Sequence, residues 1–178
     1  MHESSLSVLW SGPIIAWSDE GLIARGVFVK TFLHAIATGF YTGYLPWAPG
    51  TWATILIGIP LYTVVHRLGN LGYAIVLALL LILSIYSAGA TALQKGQDDP
   101  HCIVIDEVVG YLFAMICMPC TITNIAVSCA FFRLFDIIKP YPISLADRKV
   151  TGGLGITLDD VLAGVFANLS LRLVTMVV

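Results

Sequence analysis

At 178 residues the chain is long enough to enclose one continuous core and too short to favour two domains. Hydrophobic residues make up 58% of it, charged residues only 11%, and the formal net charge is −2. That balance offers neither the basic face that nucleic acid requires nor an acidic tail, and a mean hydropathy of +0.89 makes lipid the expected partner. The first twenty residues hold Glu3, Asp19 and Glu20 but no Lys or Arg, unlike the basic start of a cleaved secretory signal, so the N-terminus is expected to be retained.

In chain order, Val27 to Tyr41, with Lys30 and His34, reads as an interfacial helix. Gly39 to Trp52 follows as a tight loop in which Pro46, Pro49 and Gly50 restrict the backbone, and Thr51 is placed at the N-cap of the next apolar segment. Backbone donors at such a helix start favour an anion; the alternative is an ordinary turn and cap. Thr51 to His66, interrupted by Pro60, is apolar but at the short edge of the roughly 20 residues needed to span a bilayer. Leu71 to Leu93 is long enough to span. Val104 to Cys120, Ile122 to Ile138 and Val161 to Val178 are again short, as membrane helices, tilted partners or re-entrant segments. These segments predict an all-α protein: a compact helical membrane bundle with several short transmembrane or re-entrant helices.

Tracing alternate crossings from Thr51 sorts the loops into two unequal sets. One face receives Gly39 to Gly50, Gln94 to Ile103 and Lys139 to Leu158, and the other only the turns near Arg67 to Asn70 and Cys120 to Thr123 and the C-terminus. Lys95, Lys139, Arg148 and Lys149 fall on the first face, so the positive-inside rule makes that face cytoplasmic.

The first face also collects the acids. Eight of the eleven carboxylates lie between Asp98 and Asp160. An acid beside hydrocarbon is costly unless it meets a cation, a metal or water, which makes each one a functional candidate. Asp98 and Asp99, before Pro100 and His101, read as a solvated loop in preference to a site. Asp106 and Glu107 open an otherwise uncharged run, where the helix dipole alone would favour acids; Asp106 shares a helix face with Gly110, leaving room for close approach. Arg133, Asp136 and Lys139 recur every third residue along a ridge that Pro140 terminates. Such a ridge suits an anion and a metal together, because Arg presents a planar fork to phosphate oxygens and Lys a compact charge. Asp159 and Asp160 are expected to open the last apolar helix after the Gly152-Gly153-Leu154-Gly155 turn, where one acid would suffice as a cap.

Taken in order, the Leu45-Pro46-x-Ala48-Pro49-Gly50-Thr51 loop, Ile105-Asp106-Glu107-x-x-Gly110, Phe132-Arg133-x-Phe135-Asp136-x-x-Lys139-Pro140-x-Pro142 and Gly152-Gly153-x-Gly155-Ile156-x-x-Asp159-Asp160-x-x-Ala163-Gly164 resemble the phosphatidylglycerophosphatase A family. The resemblance implies a Mg²⁺-dependent phosphatase of the bacterial inner membrane, multi-pass and all-helical. Its activity would convert phosphatidylglycerophosphate to phosphatidylglycerol and inorganic phosphate. Residues 1–30 match nothing in the family and are set apart as an extension of unassigned role; 31–178 form a single domain.

The residues themselves lead to compatible chemistry. No Cys is followed six residues later by Arg, no Asp-x-Asp-x-Thr occurs, and the histidines lack a phosphohistidine arrangement, which leaves metal-assisted hydrolysis in front. Asp106, Glu107, Asp136, Asp159 and Asp160 are the expected catalytic and Mg²⁺-holding acids. Arg133, Lys139, Arg148 and Thr51 are the expected phosphate-binding residues. Direct attack by water and an aspartyl-phosphate intermediate both remain open. Two other readings stand beside this one: a phosphatase of an isoprenoid diphosphate or phosphatidic acid, and a small divalent-cation transporter. The phospholipid substrate and the bilayer are the expected partners. Ala88, Gly89, Ala90, Ala163, Gly164 and Ala167 offer small surfaces for close helix contact, in one copy or between copies. Cys117 and Cys120 have redox-motif spacing, but lie opposite the acids and read as small apolar thiols.

Overall fold

The computed structural model describes residues 19–177, with side chains from residue 26 through 176. Residues 1–18, most of the expected N-terminal extension, lie outside that range. Within it the protein is helical and contains no strand: α1 Asp19–Ala37, α2 Pro49–Ala53, α3 Ile59–Val65, α4 Gly69–Lys95, α5 Ile105–Ala114, α6 Ile122–Ile138, α7 Ile143–Lys149 and α8 Gly152–Val177.

Pro60 shapes the join between α2 and α3. A proline in a helix removes a backbone donor and crowds the preceding turn. Here the strain is taken up by a wider π-type turn at Thr54–Gly58, immediately before the α3 residues Ile59 and Pro60. Thr54 Oγ1 donates to Gly50 O at 2.9 Å and Thr63 Oγ1 to Pro60 O at 2.7 Å. The expected Thr51 to His66 segment is thus one irregular helical rod from Pro49, and Ala48 rather than Thr51 is its N-cap.

Helix α8 is the centre of the bundle and packs on α4, α5, α6 and α7. Two glycine contacts make this possible. A Cβ on Gly110 of α5 would stand 2.6 Å from Asp160 O and 2.7 Å from the Phe132 ring, while one on Gly164 of α8 would collide with Gly110 O. On the other side of α8, a Cβ on Gly153 would strike Ile85 O of α4. Backbones approach this closely only through small residues. Ala88, Ala163 and Ala167 are fully buried in the same interfaces, so these small residues serve contacts within the chain. Around them Tyr62, Tyr111, Leu112, Met115, Phe132 and Leu171 form the main core.

Two expected boundaries move. Helix α5 ends at Ala114 instead of continuing to Cys120, and at ten residues it is about 15 Å long, too short to span a bilayer. Its terminal carbonyls are met from α8: Asn168 Nδ2 donates to Ala114 O and Ile116 O at 2.8 and 3.0 Å, and Arg172 Nη2 donates to Ile116 O at 2.9 Å. Helix α8 starts at Gly152, nine residues before the expected Val161, because the glycine-rich segment is helical and is buried against α4 and Val150.

Two helical stretches, 49–95 and Gly152–Met176, are long and apolar enough to cross a membrane. Helix α4 leaves Leu71, Ile75, Leu79, Ile82 and Tyr86 exposed at steps of three and four residues, a continuous apolar stripe on its outer face.

The Gly110 contact yields a stability prediction. Gly110→Ala overpacks the α5–α8 crossing and is expected to cost about 1–3 kcal/mol, read as a lowered thermal unfolding midpoint in detergent. Gly26→Ala, where nothing lies within 4 Å of the added carbon, leaves that midpoint unchanged or raises it.

Candidate active site

The end of the bundle where α4 finishes and α5 begins holds a cavity of about 250 Å³. Its wall carries Asp99, Asp106, Glu107, Asp136, Asp159 and Asp160 against the permanent cations Arg133 and Lys139, with His101 at the edge. Six carboxyl groups against two such cations leave a marked excess of acid over base.

Local structure explains how each arrives. Val104 N donates to Ala37 O at 2.9 Å, which anchors the start of α5 and puts Asp106 and Glu107 in its first turn. The Glu107 carboxylate lies directly over Gly50, where any side chain would occupy the same space. Asp136 and Arg133 are an i, i+3 pair on α6, with Arg133 Nη1 at 2.9 Å from Asp136 Oδ2 and 3.2 Å from Glu107 Oε1. Lys139 leaves the helix instead of completing the ridge. As the C-cap of α6 it adopts a left-handed conformation, φ 45°, which directs its ammonium to Asp147 Oδ1 and Asp159 Oδ2, each at 2.5 Å. A non-glycine residue held there is strained, and the two ion pairs are the compensating contacts. Burial alone would lower the Lys139 pKa, but the two carboxylates hold it above its ordinary value.

Asp159 and Asp160 do not open a helix. They sit about two turns inside α8, far from any capping position, and both are buried, Asp160 at 4% exposure. The helix N-terminus therefore offers no account of them. Buried oxygens without a hydrogen-bond partner include Asp106 Oδ1, Glu107 Oε2, Asp159 Oδ1 and Asp160 Oδ1, and Arg133 Nε is a buried donor equally without one. Orphaned buried polar atoms are rare because each forfeits the hydrogen bonds it made in water. Here four acceptors and one donor belong to residues that line a single cavity.

The structure thus brings together seven of the nine residues expected from sequence: Asp106, Glu107, Arg133, Asp136, Lys139, Asp159 and Asp160. Thr51 does not border the cavity; its loop contributes Pro49 and Gly50 instead. Arg148 lines an adjoining cavity with Asp98, Asp99, Asp147 and Asp159. Asp99, which reads from sequence as a solvated loop residue, borders both cavities. Partial burial, opposed by Lys139 and His101 and reinforced by Asp147 and Asp136, raises its carboxyl above the usual range. A larger cavity of about 430 Å³ at the opposite end of α4 is lined by His66, Tyr73, Met115 and Met118 among others and holds no carboxylate, so it lacks the chemistry of a phosphate site.

Among the described residues no three His, Cys, Asp or Glu side chains are grouped closely enough to hold a metal ion as they stand. The donor set nevertheless fits a hard dication: all its members are oxygens, they exceed their cations, and four retain an unused acceptor atom. Mg²⁺ commonly keeps several of its own waters and needs no closed protein shell.

Apolar outer helix faces and one end cavity where acids and cations converge define the class: a helical, largely apolar protein with a charged cavity at one end of its bundle. The chain belongs to the phosphatidylglycerophosphatase A family, whose sequence profile matches residues 35–175. It is 37% identical over 136 residues to phosphatidylglycerophosphatase A of Haemophilus influenzae, covering 76% of this chain and 83% of that one. The Escherichia coli protein of the same name is 36% identical over 138 residues, covering 75% and 78%. A Bacteroides thetaiotaomicron protein bearing the provisional name phosphatidylinositol-3-phosphatase is 33% identical over 139 residues, covering 74% and 86%. No solved structure matches the chain.

The Arg133 pairings give a test of the electrostatics. Removing one partner of a partly buried pair leaves the other charge less compensated, so Arg133→Gln is expected to lower unfolding free energy by about 1–3 kcal/mol. Adding Glu107→Gln should restore part of that loss. Additive effects in a double-mutant cycle would show that the two groups do not interact.

Proposed function

We propose that this chain hydrolyses the terminal phosphate monoester of phosphatidylglycerophosphate, releasing phosphatidylglycerol and inorganic phosphate, and that it requires Mg²⁺. Membership of the phosphatidylglycerophosphatase A family and relatives at 36% and 37% identity support the substrate. The observation that carries the chemistry is that the acids with orphaned carboxylate oxygens line the same cavity as an arginine with an unpartnered donor.

Asp106, Glu107, Asp159 and Asp160, with Asp136, are the residues that would hold the metal. When bound, Mg²⁺ neutralises phosphate oxygens and lowers the pKa of a coordinated water. The protein supplies the remainder. Arg133 has its Nε free to donate to a phosphate oxygen while Nη1 stays fixed by Glu107 and Asp136. Lys139 uses two carboxylate partners and retains a third N–H for the anion. Both cations stand where negative charge accumulates on phosphoryl transfer, and both are held in advance by ion pairs, so little rearrangement opposes the reaction. Water is the proposed nucleophile, with a site carboxylate accepting its proton. Trapping an aspartyl phosphate with borohydride during turnover would overturn that choice.

The long apolar helices and exposed hydrophobic stripe support a multi-pass position in the bacterial inner membrane. Lys95, Lys139, Arg148 and Lys149 at the site end support a cytoplasmic orientation for it. The Bacteroides relative's name gives a second reading, a phosphoinositide carrying a phosphate monoester on its headgroup.

The deciding assay is phosphate release by the purified protein in detergent from phosphatidylglycerophosphate, with phosphatidylinositol 3-phosphate and phosphatidic acid alongside, with Mg²⁺ and with chelator. The expected outcome is Mg²⁺-dependent release confined to the first lipid; release from phosphatidylinositol 3-phosphate alone would establish the second reading. Asp136→Asn keeps the side-chain shape and is expected to leave membrane insertion intact while lowering kcat by about 10²-fold or more. A near-normal kcat would remove Asp136 from the machinery. Millimolar Mg²⁺ should raise the thermal unfolding midpoint of the resting protein, and Asp106→Asn with Asp160→Asn should abolish that rise. No rise in the unaltered protein would count against the metal.

A further inference from the structure

A second cavity, about 360 Å³, adjoins the acid-lined one and shares Pro49 and His101 with it. Gly43, Tyr44, Lys95 and Cys102 form much of its remaining wall, and no carboxylate borders it. The cavity on the other side is the more acidic: Asp98, Asp99, Asp147 and Asp159 line it with Arg148, and Lys139 pairs with two of those acids, Asp147 and Asp159. An anion extending from the central site therefore meets attraction on the Lys95 side and repulsion on the Arg148 side.

Lys95 is held in place for such a role. It lies in the last turn of α4, with Nζ 5.0 Å from the centre of the Tyr44 ring, and Tyr44 Oη is 2.8 Å from His34 Nε2. Completing the dipole of α4 and stacking on Tyr44 account for the cation. They leave unexplained the open, acid-free cavity beside it. Tyr44 of that wall is exposed by 50%, and Phe40 and Trp47 of the same loop by 75% and 89%. Exposed aromatics of this kind favour the headgroup level of a bilayer, the depth at which a membrane lipid carries its phosphodiester.

We infer that Lys95, with His101 at the shared wall, binds the internal phosphodiester of the lipid while the terminal phosphate monoester occupies the acid-lined cavity. This rests on the proposed substrate being a lipid with both groups. The headgroup then lies across Pro49 and His101, and the second phosphate selects such lipids over those with a lone phosphate monoester. Lys95 is a specificity residue that touches the substrate at a distance from the reacting phosphorus. Its loss should weaken binding without slowing the chemical step.

The test uses the full-length protein in detergent, unaltered and as Lys95→Ala and Lys95→Arg, with two readouts. The first is the steady-state kinetics of phosphate release from phosphatidylglycerophosphate. The second is equilibrium binding of short-chain phosphatidylglycerol, which keeps the phosphodiester and has no monoester to cleave. Lys95→Ala is expected to raise KM and weaken phosphatidylglycerol binding by about tenfold each, with kcat changed less than about twofold. Lys95→Arg should recover most of the affinity, which excludes misfolding as the cause. Unchanged KM and unchanged phosphatidylglycerol binding in Lys95→Ala would overturn the subsite while leaving the phosphatase reading intact. Lys95-dependent phosphatidylglycerol binding by a protein that releases no phosphate would support the subsite and defeat the phosphatase reading. A fall in kcat at constant KM would assign Lys95 to the chemistry and overturn the inference as stated.

Discussion

Concentrating acid inside a small apolar protein is the constraint from which the site end of this structure follows. Six carboxylates border one cavity with two permanent cations to answer them, and the desolvation of an unpaired carboxylate costs several kcal/mol even after relaxation. The arrangement is tolerable because the charges are spread over four structural units with interlocking pairs. Arg133 ties α6 to α5 through Glu107, and Lys139 ties the end of α6 to α7 and α8 through Asp147 and Asp159. Each cation thus joins elements that would otherwise separate to let their acids reach water. The excess of acid that remains is what the proposed dication would offset.

Packing at the centre of the bundle serves that electrostatic problem. Gly110 and Gly164 let α5 and α8 approach backbone to backbone, which brings Asp106 and Asp160 to the same cavity from different helices. A wider crossing would separate the acids and open space for solvent between them. Asn168 and Arg172 satisfy the carbonyls at the end of α5, permitting a short helix to stop inside the bundle. The acids and that internal helix end are therefore positioned by the same rod, α8.

The helical class and the composition of the site were legible in the residues because hydropathy marks apolar helices strongly and acids are conspicuous among them. Ile122 to Ile138 coincides with α6, and Leu71 to Leu93 lies within α4. Boundaries were harder. Gly152, Gly153 and Gly155 read as a turn from local propensity, but tight packing against α4 and Val150 overrides propensity and makes them helical. That change moves Asp159 and Asp160 from a cap to the helix interior. Thr51 had the right chemistry for a cap and lost the position to Ala48, whose left-handed backbone is not foreseeable for alanine. Asp99 was missed as a site residue because a polar loop gives no local sign of what it folds against. Arg148 has the charge expected of a phosphate ligand, yet α7 carries it to the adjoining cavity.

The contact of Glu107 with Gly50 joins two parts of the molecule that would otherwise be free to diversify separately. The aromatic loop from Gly39 to Ala48 is mostly exposed, the kind of surface segment that tolerates change, and it runs directly into the residue beneath a buried acid. Variation in the loop is therefore bounded at one end by a position where a side chain would displace that carboxylate. A loop transplanted from a relative would need to arrive with its glycine in register, since a shift of one residue would drive a side chain into the carboxylate. In evolutionary terms, the surface can explore new contacts only while its last step remains compatible with the acid beneath it.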